Sequence, residues 1–242
     1  MSLLDEVQAV YQGAQDGGSI AIQPFVGTAF TQGTGALRIV CVGINSYISP
    51  KDWPPAAEWF ASWFRQQKYK FAKGAAKAGA TVGEALQSAG WGRFDGLESC
   101  WTTNAIKTYL PEATGKNAHQ VPPEAFDRDA AIWRRELDLM AAHDVLPHAV
   151  VVLGEPQWWP TCRAFRPQEG WAYDHLRLAV YQTTEGPLFH HLNRVTVEVK
   201  GAQRSLLVVR VPHPAAFGAK PRAEDIVAHP DFQRVVALGM GA

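Results

Sequence analysis

Cysteine, methionine and net charge are what this 242-residue chain has least of. Its three cysteines (Cys41, Cys100, Cys162) stand far apart, with no C-x-x-C pair. That pattern excludes a disulfide framework and leaves no spacing for an all-cysteine metal or iron–sulfur site. A reducing, cytoplasmic compartment is the expectation that follows, with no metal and no organic cofactor. No apolar run approaches the ~20 residues that span a bilayer. The start, Met1-Ser2-Leu3-Leu4-Asp5-Glu6, lacks the basic and then apolar regions of a secretory signal, so no such signal is expected, and no membrane partner is expected either. Lys and Arg together number 23, as do Asp and Glu, and this balance argues against a wholly basic nucleic-acid wrapper. There is no G-x-x-x-x-G-K-[ST] phosphate loop and no G-x-S-x-G nucleophile elbow. Gly33-Thr34-Gly35 precedes its strand, whereas a dinucleotide fingerprint follows one.

What remains is a chain with 47% hydrophobic residues, enough to bury a core without staples. Charge is unevenly spread. No acid falls between Trp59 and Gly83, where Arg65, Lys68, Lys70, Lys73 and Lys77 occur, nor between Val199 and Ala223, where Lys200, Arg204, Arg210, Lys220 and Arg222 occur. Two solvated faces, balanced by acids such as those from Glu124 to Asp144, are the simplest account; a basic strip suited to phosphate is the sharper one.

Hydrophobic patterning predicts a helix over 3–15, then an irregular, Gly-rich lead-in to Gly35. Short β-rich runs ended by Gly or Pro (Leu37 to Gly43, His148 to Gly154, Ser205 to Val211) predict buried parallel strands. Glu98 to Asn104 is a further strand candidate, and Leu178 to Tyr181 and Val195 to Val199 are additional ones. Helices are expected from Pro54, over Pro122 to His143, and over Arg222 to Leu238, the last kinked or divided at Pro230. Strands alternating with helices predict a single α/β domain over 1–242: a three-layer α/β/α sandwich around a mainly parallel central sheet, with 1–36 as an N-terminal extension.

In such folds ligands bind beyond the carboxyl ends of the strands. Those ends carry Gly43-Ile44-Asn45-Ser46-Tyr47, then Thr103-Asn104-Ala105-Ile106-Lys107, then Leu153-Gly154-Glu155, and last His213-Pro214-Ala215-Ala216-Phe217. Each has an ordinary structural explanation, since Asn suits turns and helix caps. As an ordered set, they resemble the uracil-DNA glycosylase superfamily over roughly Leu37 to Leu238. The first segment is similar to both G-Q-D-P-Y and G-I-N-P-G, the second to T-N-A-V-K, and the last to H-P-S-P-L. Ser46 stands where a proline is usual, and Ala215 where a serine is usual.

The resemblance implies a DNA glycosylase that hydrolyses the N-glycosidic bond of uracil or another deaminated base during base excision repair. His213 would donate to the carbonyl oxygen of the departing base, acting as an oxyanion-hole donor does. Asn45 would orient the attacking water. Asn104, with two donors and one acceptor, would read the Watson–Crick edge of the flipped base. Gly43 and Ile44 would line the pocket, Tyr47 would crowd C5 of the base, and Trp59 or Phe60 would stack on it. Phe217 would wedge the duplex, and Lys220 and Arg222 would hold phosphates. Trp59 and Phe60, with Trp63 and Phe64, also read as the core stripe of a helix. Two other readings stay open: a nucleic-acid-binding protein of the same fold with little or no activity, and an unrelated α/β enzyme acting on a small nucleobase or nucleoside. The pair His190-His191 reads as surface or packing.

Overall fold

The computed structural model describes residues 1–13, 24–32, 34–43, 70–107, 121–155, 158–165, 175–183, 188, 191–212 and 221–238. Its strands are β1 (Phe25–Val26), β2 (Ile39–Gly43), β3 (Cys100–Asn104), β4 (Ala149–Leu153), β5 (Leu176–Thr183), β6 (Leu192–Val199) and β7 (Ala202–Val211). Its helices are α1 (Leu3–Gly13), α2 (Thr28–Gln32), α3 (Lys70–Ser88), α4 (Pro123–Ala142), α5 (Trp158–Ala164), α6 (Ala223–Val227) and α7 (Pro230–Ala237). The strands form one sheet in the order β1-β3-β2-β4-β7-β6-β5. The four central strands β3, β2, β4 and β7 are mutually parallel, and antiparallel pairings of β1 with β3, β6 with β7 and β5 with β6 extend both flanks.

Every residue of β2, β3 and β4 is buried, as continuous β-branched and apolar runs require when helices cover both faces. Alternation sorts the strand residues between two cores. Val40, Val42, Val150 and Val152 pack with α1, α4 and α5 residues such as Tyr11, Trp133, Leu137 and Trp158. Ile39, Cys41, Val151 and Leu153 pack with Ala75, Val82 and Leu86 of α3, Ile226 of α6 and Phe232 of α7. The fold class is therefore α/β, with a layer of helices on each side of the sheet.

Several elements depart from the sequence reading. Within the lead-in read as irregular, β1 adds an antiparallel edge to β3 through Phe25↔Thr102 and Val26↔Trp101. Upstream of it, Leu3, Val7 and Tyr11 bury one stripe of α1. The helix α3 has a weak apolar signature because small residues line its inner side: a Cβ on Gly79 would lie 3.1 Å from the Cys41 Sγ. Pro230 divides the C-terminal helix as expected, with the His229 ring capping α7 by accepting from the Asp231 N–H at 3.2 Å. The β6–β7 hairpin turns through Lys200 (φ 50°) and Gly201 (φ 79°), the left-handed pair of a two-residue type I′ turn. The helix expected from Pro54 lies outside the described residues.

The acids between Glu124 and Asp144 do not all form a solvated face. Asp129, Glu136 and Asp138 are fully buried. Asp138 accepts the backbone N–H groups of His175 and Leu176, each at 3.0 Å, and pairs with Arg135, which ties α4 to the start of β5. Nor do the bases from Lys200 to Arg210 share one face. Lys200 sits at the hairpin turn and pairs with Asp144 at 3.2 Å, whereas Arg210 lies at the far end of β7.

At the amino edge, His148 joins β2, β4 and β7. Its Nδ1 accepts the Arg38 N–H at 3.0 Å, and its carbonyl accepts the Leu207 N–H at 2.9 Å. Burial, with the neighbouring Arg38 charge, pulls this imidazole down to about 4. The unfolded chain therefore binds a proton at higher pH than the folded one does. This contribution is fully present above about 6.5 and is lost as pH falls toward 4, and it amounts to about 3 kcal/mol. His148→Gln, which keeps an acceptor for Arg38, should flatten the fall in urea stability between pH 6.5 and 4.5. An unchanged pH dependence in that variant would show that other groups set the acid sensitivity.

Candidate functional site

The parallel register makes the carboxyl ends of the four central strands level. Gly43 pairs with Asn104, and Leu153 pairs with Val211. Two hydrogen bonds carry the pairing past the strand ends: the Ala105 N–H donates to the Gly43 carbonyl at 2.7 Å, and the Gly154 N–H to the Val211 carbonyl at 2.9 Å. From β2 the chain crosses to β3 on one side and then to β4 on the other, so the order reverses at β2. In open parallel sheets, ligands commonly bind at such a switch point. The four strands that precede the segments singled out in the sequence thus end at one edge, with β3 and β7 three strand spacings apart, about 14 Å.

Of the predicted site residues, the structure places Gly43, Asn104 and Arg222. Gly43 is buried at the end of β2, beside Asn104 at the end of β3. Asn104 is 9% exposed. Arg222 is exposed at the head of α6, where its backbone N–H donates to the Asp225 carboxylate at 2.9 Å. That helix is joined to α3 by the Lys77–Glu224 ion pair at 2.8 Å. Ile44, Asn45, Tyr47, Trp59, Phe60, His213, Phe217 and Lys220 lie outside the described residues.

The residue that anchors this edge is Lys107, three positions beyond Asn104. Its side chain has no exposure, and its Nζ donates to both Glu136 carboxylate oxygens at 3.0 and 3.1 Å and to the Thr103 hydroxyl. The Tyr11 hydroxyl donates to the same carboxylate. The ammonium lies 4.9 Å from the centre of the Trp133 ring, and the Lys107 backbone N–H donates to Asp129 at 2.7 Å. Burial pulls the Lys107 amine below its ordinary value and pushes the Glu136 carboxyl above its own, while the charge of each opposes the shift of the other. Burial and the Glu136 charge raise the Tyr11 phenol well above its usual value. The network joins α1, β3 and α4. With Thr103 and Lys107 both held, the backbone on either side of Asn104 is fixed.

Only part of this network was visible in the chain. Lys107 closes the T-N-A-I-K segment, but nothing in that segment names its partner. Glu136 falls three places after Trp133 and one before Leu137, on the inner side of α4, and a carboxylate at such a position is the available signal of a buried pair. At the other end of the edge, His191 is half-buried and bonded to Arg210. Among the described residues no group of His, Cys, Asp and Glu is placed to hold a metal ion, and no helix is long and apolar enough to cross a membrane. No protein-family model matches the chain, and no curated protein matches it.

Removing one partner of a buried pair strands the other charge. Lys107→Met should therefore cost about 3–5 kcal/mol in urea unfolding. The triple change Lys107→Met, Glu136→Leu, Tyr11→Phe should recover most of that loss, because no buried charge is left without its partner. Losses that simply add would mean the three side chains act independently.

Proposed function

We propose that the protein is a monofunctional DNA glycosylase of the uracil-DNA glycosylase type, acting on uracil or another deaminated base. The observation that carries this reading is the level register of Gly43 and Asn104 at the switch point of a parallel sheet. The two motifs that most resemble the superfamily, G-I-N-S-Y and T-N-A-I-K, leave the sheet there side by side. The last motif, H-P-A-A-F, follows β7, which ends on the same edge.

Base excision needs charge stabilisation at the departing base, a water on the far side of the sugar, and recognition of a base out of the stack. Asn104 supplies the recognition: its amide offers two donors and an acceptor, matched to the carbonyls and N3–H of uracil, on a backbone held by Thr103 and Lys107. A fixed amide discriminates better than a mobile one, because a mismatched base leaves its buried donors unpaired. His213 supplies the hydrogen bond to the base oxygen as negative charge develops. Asn45 aligns the water through its carbonyl oxygen and, lacking basicity near neutral pH, does not remove its proton. Arg222, with Lys220, is assigned to backbone phosphates.

Oligonucleotides carrying uracil, hypoxanthine or xanthine, incubated with the protein and then treated with alkali, should break at the modified base. Single-turnover excision should fall on the order of 100-fold in His213→Ala, as on loss of an oxyanion-hole donor. Asn45→Asp should accelerate it, since a carboxylate adds both basicity and charge beneath a cationic sugar. No breaks at stoichiometric protein on any substrate would remove the catalytic reading. Salt-dependent DNA binding without breaks would favour the binding-only alternative, with which Ser46 and Ala215 agree.

A further inference from the structure

On the β4–β7 side of the carboxyl edge lies a group of side chains that the proposed reaction does not use. Arg210 is the penultimate residue of β7 and pairs with Val152 of β4. Its side chain is 15% exposed and its guanidinium carbon lies 5.9 Å from the centre of the Trp158 ring on α5. One guanidinium nitrogen meets the His191 Nε2 at 3.1 Å, and the His191 Nδ1 meets the Arg210 carbonyl at 3.2 Å. A guanidinium only donates. The His191 Nε2 must therefore accept, so its Nδ1 carries the proton and donates to the carbonyl. The imidazole is neutral in this arrangement and brings no counter-charge to Arg210.

The acid that meets Arg210 among the described residues is Glu155, two residues past the end of β4, at 3.5 Å. The Glu155 side chain is 77% exposed. A long contact to a solvated carboxylate is worth little. Two rigid neighbours thus hold a cation at the carboxyl edge against a weakly bound acid that a better anion can replace. Arginine suits such a site because its planar fork can give two parallel hydrogen bonds to one oxyanion.

We propose that Arg210, oriented by Trp158 and His191, binds a phosphodiester of the nucleic-acid backbone, and that Glu155 occupies its place in the free protein. This rests on the reading of the carboxyl edge as the nucleic-acid face, and it adds a contact point on the β4–β7 side of that edge. The contact is with the backbone and is therefore indifferent to the base. Glu155 acts as a competitor, raising the threshold for anions that offer a single weak oxygen.

Fluorescence anisotropy with labelled single- and double-stranded oligonucleotides, with and without uracil, across a salt series tests this. Arg210→Gln should weaken binding about tenfold at 0.1 M salt and reduce the slope of log affinity against log salt by about one. The loss should be equal for DNA with and without uracil. Glu155→Gln, at an exposed position that leaves folding undisturbed, should tighten binding severalfold. Wild-type binding with the same slope in Arg210→Gln overturns the phosphate site and leaves the nucleic-acid reading standing. A loss confined to uracil-containing DNA overturns it as well, by assigning Arg210 to the base. If Arg210→Gln fails to fold, unchanged or weaker binding by Glu155→Gln overturns the proposal instead. Wild-type protein that shows no salt-dependent binding overturns both readings together.

Discussion

The ammonium of Lys107 sits where no water reaches it, and the carboxyl edge of the sheet is organised around how that charge is met. Glu136 takes two of its hydrogen bonds, Thr103 a third, and the Trp133 ring covers it at 4.9 Å. Moving two ions out of water costs several kcal/mol each, so such a pair is a poor source of net stability. What it provides is position. Tyr11 brings α1 to the pair, Glu136 and Trp133 bring α4, and Thr103 brings β3, so a shift of any one element breaks the satisfaction of the rest. The chain segment carrying Asn104 is locked between these partners.

Under the proposed function this rigidity has a chemical use. An amide that reads a base edge must hold its donors and acceptor in one orientation before the base arrives, because ordering it afterwards reduces the affinity gained. Asn104 stands next to Gly43, and the order of the strands reverses at β2. The central strands supply a stiff platform, and in parallel sheets the loops that leave such a platform commonly carry the chemistry. On the β4–β7 side the same platform presents Arg210, held by an aromatic ring and a neutral imidazole rather than by a firm counter-ion.

Much of the platform was legible in the chain because fully buried parallel strands announce themselves. Ile39-Val40-Cys41-Val42 and Ala149-Val150-Val151-Val152-Leu153 admit no solvated face, and both strands lie where their apolar runs place them. The division of the last helix at Pro230 was equally visible, since proline cannot donate within a helix. The helix α3 was obscured by its own packing: glycine and alanine that allow close approach to Cys41 also erase the apolar stripe. Two-residue β1 has too few residues to show a period. At the candidate site, strand ends were readable, but pairings across long separations were not. Nothing near Lys107 in sequence points to Glu136, 29 residues away, and nothing near Arg210 points to His191. Pairings of this kind arise from the packing of elements, and sequence patterns describe elements singly.

If nucleic acid lies against the carboxyl edge, as proposed, the backbone amide resonances of the 15N-labelled protein report on it directly. Titration with a uracil-containing oligonucleotide should shift Gly43, Asn104, Gly154 and Glu155 and leave Arg38 and His148, at the opposite edge, in place. Shifts centred on Arg38 and His148, or no shifts at saturating oligonucleotide, would contradict it.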